Sequence, residues 1–449
     1  MISANNLLLI FIPVALIIRV LPKIFRRWVL LVVSCAFYLL CDYRYFVLVL
    51  FEVLVSFFIS DKIKPGDKKW LITGIIWELI FLCFFKYYHF FANGIGGAWK
   101  LVMPLGISYY TFKIISYQID VYRKKMENKA GIIDYLNYVM FFPQIICGPI
   151  SRAPKLLEQF GDWEIKNSVS DGIVLIISGM FKKYVIADRL VNYIGSIFDN
   201  YSTYPTLALW MAGFFYTIEI YCDFAGYSEM AVGIAKVMGI ETEINFSLPY
   251  FSYSIKEFWK RWHISLSSWL KDYVYISAGG SRCSKMRQRF NLLLTFFVSG
   301  LWHGNGVNFI VWGLYHGVID LIPVKESKHR IGRIFQCVLT FILVMFGWIM
   351  FRADGLINGC RYIGAMFSGI SFNMMSYENI VTSVMPFTFD YSCVAYLITV
   401  LVMIAILFIL ELREYLNCKR NDIVRVVIYV SCLVLFGIVG SNSFLYANF

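Results

Sequence analysis

Charged residues are scarce in this sequence. They make up 16% of the 449 residues, whereas a soluble domain carries about 25%. Hydrophobic residues make up 59%, and apolar runs of roughly 12 to 20 residues recur from end to end, long enough to cross a bilayer or nearly so. The composition therefore excludes an ordinary soluble domain and predicts roughly ten to twelve membrane spans. Because backbone hydrogen bonds in lipid must close within each segment, these spans should be helices.

Several motifs that would point to other chemistry are also missing. No CxxC pair occurs, and the eleven cysteines lie mostly singly within apolar runs, which predicts small buried hydrophobic residues rather than disulfides or metal ligands. There is no P-loop and no GxGxxG motif. The first apolar run lacks a basic leader and a small-residue cleavage site, so we expect a retained span rather than a signal peptide. With neither repeats nor linkers, residues 1–449 should form a single membrane domain.

Basic residues outnumber acidic ones, 41 to 29, for a formal net charge of +12. They occur in short stretches between apolar runs, so the positive-inside effect explains them better than binding to nucleic acid. We expect all of these stretches to be cytoplasmic loops, which places the N- and C-termini on the extracytoplasmic side of a multi-pass protein. The stretches are Arg19–Arg27, Lys62–Lys69, Arg123–Lys129, Lys182–Arg189, Lys256–Arg289, Lys325–Arg333 and Arg413–Arg425.

Two histidines follow tryptophans in or beside apolar runs, in Trp262-His263 and Trp302-His303. An ionisable side chain in hydrocarbon is costly and usually functional, and imidazole suits proton transfer near neutral pH. A membrane-embedded acid/base enzyme is the first hypothesis. Gly304-Asn305-Gly306 predicts a turn that places His303 at the tip of a helical hairpin. The segment Glu257–Ile276, rich in Trp, Tyr, Arg and Lys, is typical of an interfacial helix.

A series of motifs resembles one family in content and order. They are Pro104–Phe112, Tyr117–Arg123, Phe142–Gln144 with Gly148–Arg152, Tyr221–Ser228, Phe258–Ser267, Leu301–Gly304, Trp312–Gly317 and Gly347–Ala353. Together they resemble the membrane-bound O-acyltransferase (MBOAT) superfamily, and within it the bacterial alginate O-acetyltransferase-like branch, which is related to the membrane protein of teichoic acid D-alanyl transfer.

The resemblance implies an all-α integral membrane fold, with tilted, re-entrant and interfacial helices around a central tunnel. The catalytic core would cover about residues 100–350, followed by a last span and tail at about 426–449. It implies that His303 is the catalytic base and that His263 is a second catalytic position. An acyl thioester, most simply acetyl-CoA, would enter as a co-substrate from the cytoplasm, with no bound cofactor or metal.

The acyl group would leave on the outer face of a bacterial plasma membrane. An extracytoplasmic SGNH-hydrolase-like acyltransferase or similar partner would pass it to a polysaccharide, with membrane lipid around the protein and no nucleic acid involved. The tail Phe444–Phe449 is similar to the Phe-x-Tyr-x-x-Phe tail of alginate acetyltransferase-like proteins. Tyr446 would then carry the acyl group, although an aromatic membrane anchor explains it as well.

Further side chains are candidates for substrate binding. Lys260 and Arg261 would hold the phosphates of coenzyme A at the cytoplasmic mouth, unless they only obey the positive-inside rule. Trp302 and Arg152 are candidates because they lie in two of the motifs that resemble the family, Leu301–Gly304 and Gly148–Arg152. Asp223, an intramembrane carboxylate, is a functional candidate by position, but an ion pair with Arg152 or another buried cation is the simpler explanation.

Three other functions stay open at this level. One is D-alanyl transfer to teichoic acid from a carrier-protein thioester. Another is a non-catalytic transporter of an acyl group or lipid, which would need no histidine base. The last is a structural scaffold for a surface-polymer machine, which would tolerate loss of both the histidines and the tyrosine.

Overall fold

The computed structural model of the protein describes residues 8–92, 103–126, 128–165, 168–368, 390–416 and 422–438. Within these ranges the chain is helical, and the only β-structure is an isolated bridge between Lys64 and Asp67. Four of the described helices are long and apolar enough to cross a membrane, at Lys23–Asp42, Lys68–Tyr88, Arg330–Arg352 and Tyr396–Tyr415. The predicted fold class, an all-α membrane protein, is confirmed.

The helices of the first half are α1 (Ile12–Val20), α2 (Lys23–Asp42), α3 (Phe46–Lys62), α4 (Lys68–Ala92), α5 (Ile107–Tyr122), α6 (Ile132–Met140), α7 (Ala153–Asp162), α8 (Val169–Met180), α9 (Asp188–Asp199) and α10 (Thr206–Val237). Those of the second half are α11 (Ile255–Arg261), α12 (Ile264–Leu270), α13 (Lys285–His303), α14 (Val307–Asp320), α15 (Arg330–Arg352), α16 (Leu356–Ala365), α17 (Asp390–Tyr415) and α18 (Asp422–Phe436).

The long helix α10 forms the centre of the fold. It has 32 residues and is buried on all its faces, as expected of a helix surrounded by other helices. It approaches α8 closely at two glycine pairs. A Cβ on Gly179 would lie 2.4 Å from the carbonyl oxygen of Gly226, and one on Gly172 would lie 2.7 Å from that of Gly233. Small residues at such crossings are typical of membrane helix packing.

The basic stretch Lys182–Arg189 is not a loop, so that prediction was wrong. A π-helical segment at Phe181–Ala187 joins α8 to α9 in one continuous helical stretch, which we call the α8–α9 crossing because we expect it to cross the membrane. The Lys182 ammonium is buried, hydrogen-bonds Glu229 of α10 and lies 3.8 Å from Glu411 of α17. Carboxylates from two other helices thus compensate a charge that the positive-inside rule assigns to the cytoplasm.

The segment predicted as one interfacial helix, Glu257–Ile276, is broken. It consists of α11, α12 and a π-helical turn at Lys271–Tyr275, and the chain changes direction at Trp262 and His263. Its aromatic side chains Phe258, Trp262 and Trp269 are buried. Contacts with the protein interior, rather than a position in the lipid headgroups, therefore determine its path.

The hairpin predicted around Gly304-Asn305-Gly306 is confirmed, with α13 before the turn and α14 after it. The two helices touch through glycine. A Cβ on Gly300 would lie 2.3 Å from the carbonyl oxygen of Phe309, and one on Gly313 would lie 2.3 Å from that of Phe296. This close contact fixes the position of the last turn of α13.

Candidate functional site

His303 is the last residue of α13 and lies at the tip of the hairpin. Its side chain is 3% exposed. Three aromatic rings surround the imidazole, with centroid distances of 4.6 Å to Trp302, 4.9 Å to Trp312 and 5.4 Å to Phe351. The rings come from α13, α14 and α15, and they hold the imidazole in a largely water-free position of the kind in which electrostatic interactions are strong.

His263 occupies the break between α11 and α12, and only 1% of its surface is exposed. Its backbone is left-handed, with φ 43° and ψ 52°, a conformation that costs a non-glycine residue on the order of 1–3 kcal/mol and clusters at functional sites. Within the described part of the chain, neither ring nitrogen has a hydrogen-bond partner. The imidazole is therefore buried with both its polar atoms available.

A buried polar network holds the turn that carries His263. The backbone carbonyl of Asn245 accepts a hydrogen bond from Ile264 N at 2.9 Å, and its side-chain oxygen accepts one from Ser265 Oγ at 2.6 Å. Asn245 Nδ2 donates to Ser228 Oγ of α10 at 2.8 Å, and Ser265 Oγ accepts from Ile150 N at 3.0 Å. These bonds attach the strained turn to the central helix and offset its backbone cost.

Trp302 lies between the two imidazoles. Its ring centroid is 4.6 Å from that of His303 and 6.3 Å from that of His263. The other side of the indole stacks on Phe112 at 5.1 Å. Among the described residues, no group accepts a hydrogen bond from its indole N–H. The structure therefore brings His263 together with Trp302 and His303, which follow it by about forty residues in the sequence.

A cavity of about 530 Å³ lies at the tip of the hairpin. Phe351, whose ring contacts His303, lines one wall. Asn305, Asn308 and Arg352 provide polar groups, and the buried carboxylate of Glu219 on α10 lies in another wall. This cavity therefore lies next to the aromatic surroundings of His303, with Phe351 common to both.

The remaining predicted site residues lie elsewhere. Asp223 hydrogen-bonds the Lys183 ammonium, which also lies 2.9 Å from Asp188, so its partner is not Arg152. The Arg152 guanidinium instead donates to Asp272 at 3.2 Å, with its plane 4.7 Å from the centre of the Tyr273 ring.

Lys260 is exposed, and Arg261 pairs with Glu257 at 2.8 Å on the same helix. Tyr446 lies outside the described residues. His316, buried 5.3 Å from the Trp312 ring, lies behind the aromatic cage rather than in it.

Sequence reasoning missed two groups of residues at this site. Asn245 follows α10 in an irregular segment, and nothing local marks it as the anchor of His263. Lys86 and Tyr87 of α4 donate hydrogen bonds to the carbonyls of Trp302 and Leu301. A lysine directly after the apolar run Trp70–Phe85 was the available signal, because a cation at that depth needs a partner. In the described ranges no cluster of His, Cys, Asp and Glu has the arrangement of a metal site.

Comparison with known proteins gives consistent matches. The model of the membrane-bound O-acyltransferase family matches residues 121–350. The probable alginate O-acetylase of Pseudomonas syringae pv. tomato is 36% identical over 390 residues, which cover 82% of this chain and 75% of that protein. The peptidoglycan O-acetyltransferase of Helicobacter pylori is 31% identical over 488 residues, covering 95% and 92%. The teichoic acid D-alanyltransferase of Bacillus subtilis is 30% identical over 273 residues, covering 56% and 69%.

Proposed function

This chain belongs to the membrane-bound O-acyltransferase family and is a multi-pass membrane O-acyltransferase, and from that premise we propose that His303 is its catalytic base. The observation that carries the proposal is the position of His303. It is the buried imidazole at the hairpin tip and is enclosed by three aromatic rings, of which Trp302 also lies beside the buried His263 ring and Phe351 also lines an open cavity.

The proposed reaction moves an acyl group from a thioester to a hydroxyl. His303 takes the hydroxyl proton while the oxygen attacks the thioester carbonyl. The carbon–sulfur bond then breaks, and the departing thiolate takes the proton from the imidazolium. His263, buried beside Trp302 with both ring nitrogens unbonded to any described residue, would donate a hydrogen bond to the oxyanion of the tetrahedral intermediate.

We propose acetyl-CoA as the donor, arriving from the cytoplasm. Two observations support this choice. The relatives that cover most of this chain are named O-acetylases or O-acetyltransferases. Two exposed lysines, Lys256 and Lys260, lie on α11, the helix that leads into the Trp262-His263 turn, where they would meet the phosphates of coenzyme A. The D-alanyl alternative has weaker support, since that relative matches only 56% of this chain.

The acceptor hydroxyl that we propose is that of Tyr446. Helix α18 runs alongside the crossing formed by α8 and α9, because Ile438 N donates to Tyr184 O at 3.0 Å and Arg189 donates to Phe436 O. Beyond this point on α9, Val191 and Ile194 line the cavity beside His303. The eight residues 439–446 span at most about 27 Å, and we propose that they bring the phenol from Ile438 to that cavity.

The final acceptor would be a cell-surface polysaccharide, which agrees with relatives named for alginate and peptidoglycan. We propose that the cavity opens on the extracytoplasmic side of a bacterial plasma membrane. There an SGNH-hydrolase-like acyltransferase or a similar partner takes the acyl group from the carrier and esterifies the polymer. Both termini lie on that side, and the enzyme needs acetyl-CoA as a co-substrate but no resident cofactor.

Mass spectrometry of the purified protein after incubation with isotope-labelled acetyl-CoA tests this mechanism. We expect label on Tyr446 in the wild type, and none in His303→Ala or Tyr446→Phe. His329→Ala is the matched control, because His329 is exposed at the start of α15; it should label like the wild type.

The outcomes separate the parts of the proposal. Label on Tyr446 in His303→Ala would contradict the role of His303. Normal acylation of polymer by Tyr446→Phe would remove the tyrosine carrier but leave the base. Labelling only with a D-alanyl carrier-protein thioester would replace acetyl-CoA as the donor.

A further inference from the structure

The last turn of α13 is capped from another helix. The final carbonyls of any helix lack partners within it. Here the Trp302 carbonyl accepts a hydrogen bond from the Lys86 ammonium, and the Leu301 carbonyl accepts one from the Tyr87 hydroxyl. Both donors are neighbours on α4, more than two hundred residues earlier in the chain. The helix that presents His303 thus ends on a contact with the N-terminal part of the fold.

Burial of the Lys86 ammonium in this position costs free energy. Its side chain is buried, and an ammonium removed from water needs compensation. A backbone carbonyl provides it, together with the Trp302 ring, whose centre lies 5.4 Å from the nitrogen. The C-terminal end of a helix carries partial negative charge, so a cation there stabilises the last turn.

The contacted carbonyl belongs to the peptide group that joins Trp302 to His303. Any movement of this group therefore moves the imidazole directly. A displacement of about 1 Å at a reacting group can cost on the order of a hundredfold in rate. The two bonds from α4 consequently fix the geometry of the proposed base rather than only the stability of the fold.

We propose that Lys86 and Tyr87 are positioning residues for His303, and that α4, which precedes the family match at residues 121–350, is part of the active site. The inference rests on the proposed role of His303 as the base. Neither side chain is assigned a contact with substrate; both act through the backbone of the last turn of α13.

The protein contains a matched control for Lys86. Lys113 of α5 is also buried; its ammonium also donates to a backbone carbonyl, that of Tyr138 at 2.8 Å, and it lies 5.1 Å from the centre of the Tyr138 ring. The chemistry is the same, but the contacted carbonyl lies on α6 and not on the hairpin of α13 and α14. Loss of either ammonium should cost stability, whereas only loss of Lys86 should change the placement of His303.

The test compares Lys86→Met, Lys86→Arg, Tyr87→Phe, Lys113→Met and His303→Ala, each as purified full-length protein with its folded fraction measured by thermal unfolding. Steady-state kinetics with acetyl-CoA should show kcat of Lys86→Met lowered about tenfold to a hundredfold at nearly unchanged KM. Lys86→Arg should recover most of the loss, Tyr87→Phe should lose less, and Lys113→Met should keep the wild-type kcat per folded molecule.

A second readout does not depend on the donor. The rate at which diethyl pyrocarbonate modifies His303, followed on its peptide by mass spectrometry, should rise in Lys86→Met and not in Lys113→Met. Equal kcat in Lys86→Met and wild type, or equal losses in the two methionine variants, would overturn the inference. Full activity of His303→Ala would instead overturn the proposed base, and the modification rates would still show whether Lys86 and Tyr87 hold the turn.

Discussion

Lys183 pairs with two carboxylates in the interior of the fold, Asp188 on its own crossing and Asp223 on α10. All three side chains are buried. Breaking a buried ion pair by removing one partner leaves an uncompensated charge and costs about 3–5 kcal/mol. At the scale of single residues, this cluster is therefore the place where one substitution should affect stability most.

Lys183→Met should lower the free energy of unfolding by about 3–5 kcal/mol, measured by denaturant unfolding in detergent. Lys155→Met is the control, because its ammonium lies 4.0 Å from Glu243 with a side chain 56% exposed, and exposed pairs contribute about 0–1 kcal/mol. Similar unfolding of the two variants would show that the Lys183 cluster is not a stabilising ion pair. Asp223→Asn should be nearly as destabilising as Lys183→Met.

At the scale of residues, the sequence predicted the position of His303 but not the partners of Lys182. His303 was found because Trp-His-Gly stands out in an apolar run, and its position at a turn followed from the local sequence Gly304-Asn305-Gly306. The surroundings of Lys182 were not predictable, because its partners Glu229 and Glu411 lie 47 and 229 residues away along the chain. A local pattern identifies a charge, but only the packing identifies its counter-ion.

Among the elements, the hairpin of α13 and α14 depends on the absence of a side chain at Gly300. The Gly300 Cα faces the carbonyl oxygen of Phe309 with no room for a methyl group. An alanine there must push the helices apart, and the shift would occur one turn from His303. Packed interiors transmit such strain because they contain few voids.

Gly300→Ala should therefore lose most of its acyl transfer while it still folds, with overpacking costing about 1–3 kcal/mol. Gly195→Ala on α9 is the control, because nothing lies within 4 Å of its added methyl group; it should be neutral or slightly stabilising. Acetyl-group transfer and melting temperature measured on the same preparations distinguish the two. Wild-type acyl transfer by Gly300→Ala would show that α13 and α14 can move apart without loss of activity.

The sequence predicted the glycine-containing turn after His303 but did not predict the break between α11 and α12. The sequence around Trp262-His263 contains no glycine or proline, so its helical pattern predicts one continuous helix. The structure turns at His263 with positive φ, because Asn245 and Ile150, from outside the segment, hydrogen-bond Ile264 and Ser265 within it. Such a conformation is determined by tertiary contacts that no local pattern contains.

At the scale of the whole molecule, the charge distribution predicts orientation. With Lys182 and Lys183 buried in the protein interior, we expect the remaining basic stretches to alternate with pairs of crossings. The loop before α10 at 200–205 should face outward, and the loop before α15 at 325–329 should face the cytoplasm.

Single cysteines placed in a cysteine-free background test this orientation. A membrane-impermeant maleimide should label Ser202→Cys on intact cells, whereas Lys328→Cys should react only after permeabilisation. Both residues lie in exposed or partly exposed loops, so access to the reagent is comparable. Labelling in the opposite order would invert the topology and place the cavity beside His303 on the cytoplasmic side.

The buried charges of the α8–α9 crossing have a consequence for biogenesis. Lys182 and Lys183 make this crossing a poor membrane span by itself, because a lone cation in the bilayer core is unfavourable by several kcal/mol. Asp188 of the same crossing pairs with Lys183, but the other carboxylates that neutralise the two lysines belong to α10 and, for Lys182, also to α17, which the ribosome delivers about two hundred residues later. The crossing should therefore settle in the membrane only together with α10, and a chain stopped before α17 would keep a partly compensated lysine, a state that membrane quality control can recognise.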